Sequence, residues 1–290
     1  MPAKDIAEKH FTEHNDIFCD LINMAFYTGE PVIKPDELQD RPKRELIEKE
    51  STLGELERDV CKIYKKAQIE LAILGLENQT QPDKYMPIRA LEYNAASYRA
   101  QREEILSQKR ENVVPVITLV VYFGLTSWEN NLSLKELVTL PDGMEPYFND
   151  YKINLLPLAF LSEEQIAKFQ TVDMQEVAGY LRQRRLHEDY KPTKENMQHV
   201  YDVVRVISAL SGDKNFITVY NTMISEGKKE VTMCEMIQKI KDDSKQEGKL
   251  EGKLEGKLED ARNMLKDGLK LETIIKYTGL SLAEIKAITL

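Results

Sequence analysis

The residues best placed for chemistry close an apolar run, Ile69-Glu-Leu-Ala-Ile-Leu-Gly-Leu-Glu-Asn-Gln79. Such a run reads as a strand buried on both faces. Side chains alternate along a strand, so Glu77 and Gln79 project the same way from its end. Eighteen positions upstream of Glu77, Asp59 opens a shorter apolar stretch, Val60–Tyr64. If the two stretches pair antiparallel, Asp59 and Glu77 meet at one end of a sheet. Two carboxylates beside a peptide carbonyl form a hard oxygen site suited to Mg²⁺. The spacing alone also fits a plainer reading, in which Glu77 is the first solvated residue after a buried strand.

Several elements must position these groups. Residues 5–27 carry Ile17, Phe18, Leu21, Ile22, Met24 and Ala25 on one helical face. Gly29 and Pro31 stop that helix, leaving its regular part at 12–27. Residues 34–58 are rich in Glu, Lys and Asp and read as an exposed connector, with a helix possible at 43–50. Met86, Ile88, Leu91, Tyr93, Ala95, Tyr98 and Ile105 predict a long helix over 84–110, with Pro87 in its first turn. Val113–Phe123 is a further continuous strand, with Pro115 near its start. A short strand is expected at Lys152–Leu156, and from Ser162 the pattern is helical, broken near Pro192 and Gly212.

The tail is built differently. Residues 247–258 repeat Glu-Gly-Lys-Leu three times, and Lys and Glu stripes run beyond the repeat at four-residue spacing. On a single helix such like-charge neighbours repel, and each glycine costs about 1 kcal/mol against alanine. Two readings follow: a solvated linker, or a helix that needs a second copy, whose Glu stripe would face its Lys stripe. Beyond it, Ala261–Leu290 holds short helical stretches, with a capping-box pattern at Ser281 and Glu284. Helix, turn, helix is a shape used by DNA-binding modules. The last segment offers few base-reading groups, so packing or dimerisation is an equal reading.

Composition narrows the class. With 42% hydrophobic and 31% charged residues in 290, the chain is globular with a charged surface. No apolar stretch spans a bilayer and residues 1–6 carry no secretory segment, so a cytoplasmic protein with no membrane partner is expected. Three cysteines without metal-ligand spacing argue against a disulfide framework and a zinc finger. A net charge of −9 argues against nucleic acid as a partner when taken alone, yet a metal-dependent nuclease needs carboxylates at its centre. His10 and His14 lack the glutamate of a zinc-protease motif, and His187 and His199 have no partners in sequence. Arg182, Arg184, Arg185 and Lys191 form the densest basic cluster, either a phosphate contact or a solvated helix face.

The order of several motifs is more specific than any one of them. Asp59 precedes Glu77-Asn78-Gln79-Thr80, then Met86-Pro87-Ile88-Arg89 with Leu91 and Tyr93, then Pro115–Tyr122, Gly124 and Trp128, and then Asp150-Tyr151-Lys152-Ile153. In this order the chain resembles the Rpn family of recombination-promoting nucleases, often labelled transposases, of the PD-(D/E)XK nuclease group. Acidic Glu-Gly-Lys repeats near the C-terminus are also typical of that family. The resemblance covers about residues 5–215 and the tail. It implies an α/β restriction-endonuclease-like core, a mixed sheet of about four strands in the order α-β-β-β-α-β, followed by a helical C-terminal region. The helices and strands read above fall one strand short of that order before the long helix. The missing strand is expected in 52–58, or the break between the strands is misplaced.

The resemblance also implies roles. Asp59 and Glu77 would ligate Mg²⁺ (Mn²⁺ as an alternative), with the carbonyl of Asn78 as a third ligand. Gln79 stands where the wider group has lysine; it can orient water but brings no charge. Arg89 is the candidate for that charge, its other reading being a structural ion pair with Glu77 or Asp59. Asp20 is an additional candidate metal ligand, its other reading a surface acid. The expected organisation is a nuclease domain over 1–160, a helical extension over 161–240, a repeat helix or linker over 241–260 and a small helical tail over 261–290. The expected function is metal-dependent endonucleolytic hydrolysis of DNA in recombination or mobile-element traffic, with homo-oligomerisation through 241–290. The alternative is a non-catalytic DNA-binding or assembly protein on the same fold.

Overall fold

In the computed structural model, residues 3–41, 59–228 and 230–288 are described. The chain divides into two compact units, Met1–Cys234 and Glu235–Leu290. The first opens with α1 (Ala3–Glu13) and α2 (Asn15–Tyr27). The apolar face expected over 5–27 is therefore carried by two helices, separated at His14, whose backbone is extended. A short 3-10 turn at Pro35–Glu37 leads into β1 (Leu38–Asp40). Then come β2 (Val60–Lys66), β3 (Ile69–Gln79), α3 (Met86–Leu106), β4 (Val116–Tyr122) and β5 (Asn154–Pro157).

The strands form one sheet in the order β1-β2-β3-β4-β5. β1, β2 and β3 pair antiparallel, while β3, β4 and β5 run parallel. This mixed sheet with flanking helices is compatible with an α/β nuclease-like core. The strand missing from the sequence reading is β1 at 38–40, inside the stretch read as connector; residues 52–58 and the helix expected at 43–50 lie outside the described residues. Three residues are too few for alternation to be seen, and β1 exists because β2 offers it an edge.

The β2–β3 hairpin turns through Ala67 and Gln68, both left-handed at φ 50° and 68°. Tight hairpins favour that conformation at both central residues, usually with Asn and Gly. Sheet pairing holds Ala and Gln there instead. β3 carries the core: Ala72 through Glu77 are buried. Its partner β4 continues through Phe123 to Gly124, where a Cβ would fall 2.2 Å from the Tyr122 ring, so that close approach favours glycine.

Alternation sorts the sheet's two faces. Val120 and Tyr122 pack on Met86, Ala90 and Tyr93 of α3, with Trp128 edge-on to Tyr122 at 5.3 Å. The opposite face is covered by α1 and α2. After β5, α4 (Glu163–Ile166), α5 (Val172–Arg185), α6 (Val200–Ser211) and α7 (Asn215–Ser225) extend the helical layer, with α6 packed on α1. Gly29, at φ 88°, lets the chain leave α2 where a Cβ would meet the Cβ of Lys168 at 2.7 Å.

The second unit is helical. α8 (Met233–Lys266) includes the whole Glu-Gly-Lys-Leu repeat. Gly268 and Gly279, both left-handed, follow α8 and α9 (Leu271–Thr278), and α10 (Leu282–Ile288) completes the unit. Ala261, Ile274, Leu280 and Ile285 form its small core. The capping box is present: Glu284 accepts from the Ser281 N–H at 2.7 Å, and Ser281 Oγ accepts from the Glu284 N–H at 3.3 Å.

Candidate active site at the end of the central strand

Val60 pairs with Leu76, so Asp59 enters β2 beside the Glu77–Asn78 peptide. Its Oδ2 accepts the Asn78 backbone N–H at 2.9 Å. The two acids expected from the sequence thus come to one end of the sheet. β3 is also where the sheet changes from antiparallel to parallel pairing. Sites in open α/β sheets commonly form beyond strand ends where the topology changes.

Glu77 and Asn78 point to opposite faces, as neighbours on a strand must. Glu77 lies on the α3 face and is only 2% exposed. Its Oε2 stands 3.4 Å from Nη2 of Arg89, in the first turn of α3. Arg89 also donates to Asp83 Oδ2 at 2.9 Å and to the Tyr93 hydroxyl at 3.4 Å. Burial works against its charge, but the bonds to Tyr93 and Asp83 and the nearby Glu77 outweigh that and hold the guanidinium above its usual pKa. Burial, with the charge of Glu77, likewise raises the Tyr93 phenol. Gln79 ends β3 opposite Tyr122, and its carbonyl accepts from the Phe123 N–H at 2.8 Å.

Asn78 faces α1. Its Nδ2 donates to Thr12 Oγ1 at 3.0 Å, and that hydroxyl donates to the Glu8 carbonyl at 2.9 Å. Glu8, one turn earlier, is 1% exposed. Burial first, then the charges of Asp5 and Asp59, push its carboxyl up to about 8. Asp59 is raised too, chiefly by burial, against the lowering effects of the Asn78 N–H, Lys9 and Arg89. Sequence reasoning missed Glu8. The signal was present: with Ala7, Phe11 and Thr12 it completes an i, i+3, i+4 face, where a buried acid is out of place.

Glu8 makes stability depend on pH. Unfolded, it loses its proton near the ordinary 4.5; folded, it keeps it to about 8. The folded state therefore binds more protons across that window, and stability falls as pH rises through it. In EDTA, urea midpoints of the wild type should fall relative to those of Glu8→Gln between those two values. Parallel midpoints would show that Glu8 ionises normally in the fold.

Asp20 is not brought to this cluster by its hydrogen bonds. It is 3% exposed, and its oxygens accept from the N–H groups of Gln170 and Thr171 at 2.9 and 2.8 Å and from Thr171 Oγ1 at 2.6 Å. It thereby ties α2 to the start of α5. The arginine cluster is likewise engaged within the fold. Arg182 pairs with Glu163 at 3.0 Å, Arg184 donates to the Leu210 carbonyl at 2.9 Å, and Arg185 to that of Ala159 at 2.8 Å. His14 and His199, isolated in sequence, stack at 3.7 Å, one bonded to Asp202 and the other to Asp16.

The donor set can be tested against a divalent ion. No group of three or more His, Cys, Asp or Glu suited to a metal ion stands among the described residues. A cage of protein ligands is thus not formed. Mg²⁺ does not need one, since it is commonly held by one or two carboxylates and keeps several waters. Asp59 and Glu77 meet that demand with oxygen alone. The residues fit a hydrated hard cation.

Residues 66–207 match the family model described as "Putative transposase, YhgA-like". Residues 254–290 match the model of the Rpn/YhgA-like nuclease family C-terminal HTH domain. The first match includes Glu77, Gln79 and Arg89 and begins after Asp59; the second takes in α9 and α10. No curated protein and no solved structure matched the chain.

Proposed function

Because this chain belongs to the Rpn/YhgA-like nuclease family, we propose that it is a metal-dependent DNA endonuclease that hydrolyses phosphodiester bonds in recombination or mobile-element traffic. The observation that carries the reading is the meeting of Asp59, Glu77 and Arg89 around the end of β3. Asp59 and Glu77 would hold Mg²⁺ or Mn²⁺, aided by the Asn78 carbonyl. When bound, such an ion lowers the pKa of water and offsets charge on the scissile phosphate. Gln79 orients the attacking water by hydrogen bonding. Arg89 supplies the positive charge that Gln79 lacks and binds a phosphate oxygen; its side chain is 36% exposed, which leaves it reachable.

DNA is the partner the C-terminal HTH match favours. Lys286, exposed on α10, is then a candidate phosphate contact. Lys286→Ala should weaken low-salt DNA binding and reduce the salt slope by about 1. An unchanged slope in gel-shift titrations would remove Lys286 from the contact. No described helix is long and apolar enough to cross a membrane. The Lys and Glu stripes of α8 fit pairing with a second copy, which light scattering on the full chain tests directly: a 33.5 kDa mass would rule it out.

The deciding experiment is nicking and linearisation of supercoiled plasmid at low salt, with Mg²⁺, Mn²⁺ or EDTA. Cleavage that requires metal supports the endonuclease. One observation favours a second reading, a non-catalytic DNA-binding protein: Glu77 is already engaged by Arg89. DNA binding without cleavage under every metal would establish that reading instead.

A further inference from the structure

The segment that joins the end of β3 to α3 carries two side chains that the roles above leave unused, Lys84 and Tyr85. The Tyr85 ring is 53% exposed, and the Lys84 ammonium lies 4.6 Å from its centroid. Single exposed apolar side chains are common on protein surfaces and need no purpose. Tyr85 is set apart by what it is tied to. The Asp83 carboxylate accepts the Tyr85 N–H through Oδ1 at 2.9 Å and Arg89 Nη1 through Oδ2 at 2.9 Å. The same guanidinium stands 3.4 Å from Glu77. The Tyr85 carbonyl accepts the Arg89 N–H at 3.1 Å, so the two residues lie one helical turn apart, about 5.4 Å along the axis. One carboxylate thus fixes the backbone of an exposed aromatic residue and the site's arginine relative to each other.

We propose that Tyr85 is a stacking platform for an unpaired base of the DNA strand whose phosphate Arg89 binds, with Lys84 on an adjacent phosphate. This rests on the nuclease reading above and names its substrate class: DNA that is single-stranded, or locally unpaired beside the scissile bond. A base inside a duplex has both faces covered by its neighbours. A protein ring can therefore stack only on a base that has left the stack or stands at an end. Such stacking tolerates any base, since each offers a π-face. The Lys84 ammonium is held at the ring by its quadrupole and brings a positive charge to the strand that the ring engages. Negative supercoiling favours local strand opening, so the supercoiled plasmid above is a substrate of this class.

The test is binding of the full-length protein to a fluorescently labelled single strand, read by anisotropy at low salt with Ca²⁺ in place of Mg²⁺. Relaxed, covalently closed circular DNA is the fully paired competitor, and thermal unfolding checks the fold of each variant. Wild type should prefer the single strand. Tyr85→Ala should bind it about tenfold more weakly, the effect of one stacked base, with an unchanged salt slope and unchanged affinity for the closed circle. Tyr85→Leu, which keeps bulk without a π-face, should show the same loss, and Tyr85→Phe should bind like wild type. Lys84→Ala should instead lower the salt slope by about 1. The inference fails if wild type shows no preference, if Tyr85→Ala and Tyr85→Leu bind the single strand like wild type, or if they lose both DNA forms equally. Plasmid nicking is scored separately. Metal-dependent nicking by wild type beside unaltered binding by the Tyr85 variants removes the stacking platform and leaves the nuclease reading. The tenfold loss without nicking under any metal overturns the nuclease reading and leaves Tyr85 a DNA contact.

Discussion

Glu77→Gln should abolish metal-dependent plasmid cleavage, lowering the rate by about a thousandfold or more, while leaving the fold intact. The substitution keeps the shape of the side chain and removes one negative charge. At a site with two carboxylates, losing one removes half of the protein's charge on the cation, and with it the activated water. The fold should survive because Arg89 keeps Asp83 at 2.9 Å and the Tyr93 hydroxyl at 3.4 Å. Loss of stability should stay within about 1–3 kcal/mol, the range for one buried polar group losing a charged partner. Initial nicking rates with Mg²⁺, beside circular dichroism, separate the two effects. Undiminished cleavage by Glu77→Gln would mean that the chemistry lies elsewhere in the chain. Gln79→Ala should be milder, since Gln79 brings no charge to the phosphate.

Asp20→Ala should have the largest effect on stability. Asp20 accepts three hydrogen bonds from Gln170 and Thr171, two of them from backbone N–H groups at the start of α5. Thr171 is also the N-cap of α5, where its Oγ1 accepts from the Met174 N–H. Removing the carboxylate therefore strips donors at a half-buried helix start and the buried packing of α2 on it, each donor costing up to about 1–3 kcal/mol when left unsatisfied. A loss of about 3 kcal/mol follows, or about 6–12 °C in Tm for a unit of this size. Asp20→Asn should lose less, because an amide oxygen can still accept. Differential scanning of the three proteins in EDTA measures this. If Asp20→Ala melts like wild type and instead loses Mn²⁺ affinity, Asp20 is a metal ligand, as the sequence first suggested, and its structural role is minor.

The elements differ in how far the sequence revealed them, and the reason is range. β3 and β4 were legible as continuous apolar runs, because a strand buried on both faces carries no polar residue for most of its length. The long helix after β3 was legible from its spacing, and the capping box at Ser281 from two residues three apart. In each case the signal lies within one segment. The β2–β3 turn was weak in sequence since Ala67 and Gln68 are not residues that choose a left-handed conformation unaided.

By itself, the sequence determined that Glu77 and Gln79 share a side of β3, that Asp59 opens the neighbouring strand, and that the motif order is that of the Rpn nucleases. These follow from alternation and linear spacing, which the chain carries wherever it folds. Only the tertiary structure decided the rest. It assigned Asp20 to α5 across 150 positions, since hydrogen-bond partners that distant leave no mark on local pattern. It placed β1 at 38–40, where pairing outweighs a polar composition. It brought α1 over the Asn78 face of the sheet, and so turned Glu8 from one acid among many at the N-terminus into a buried acid whose proton is held by burial and by the charges of Asp5 and Asp59. Burial of a charged group is a property of what packs against it, and that is written in no single segment.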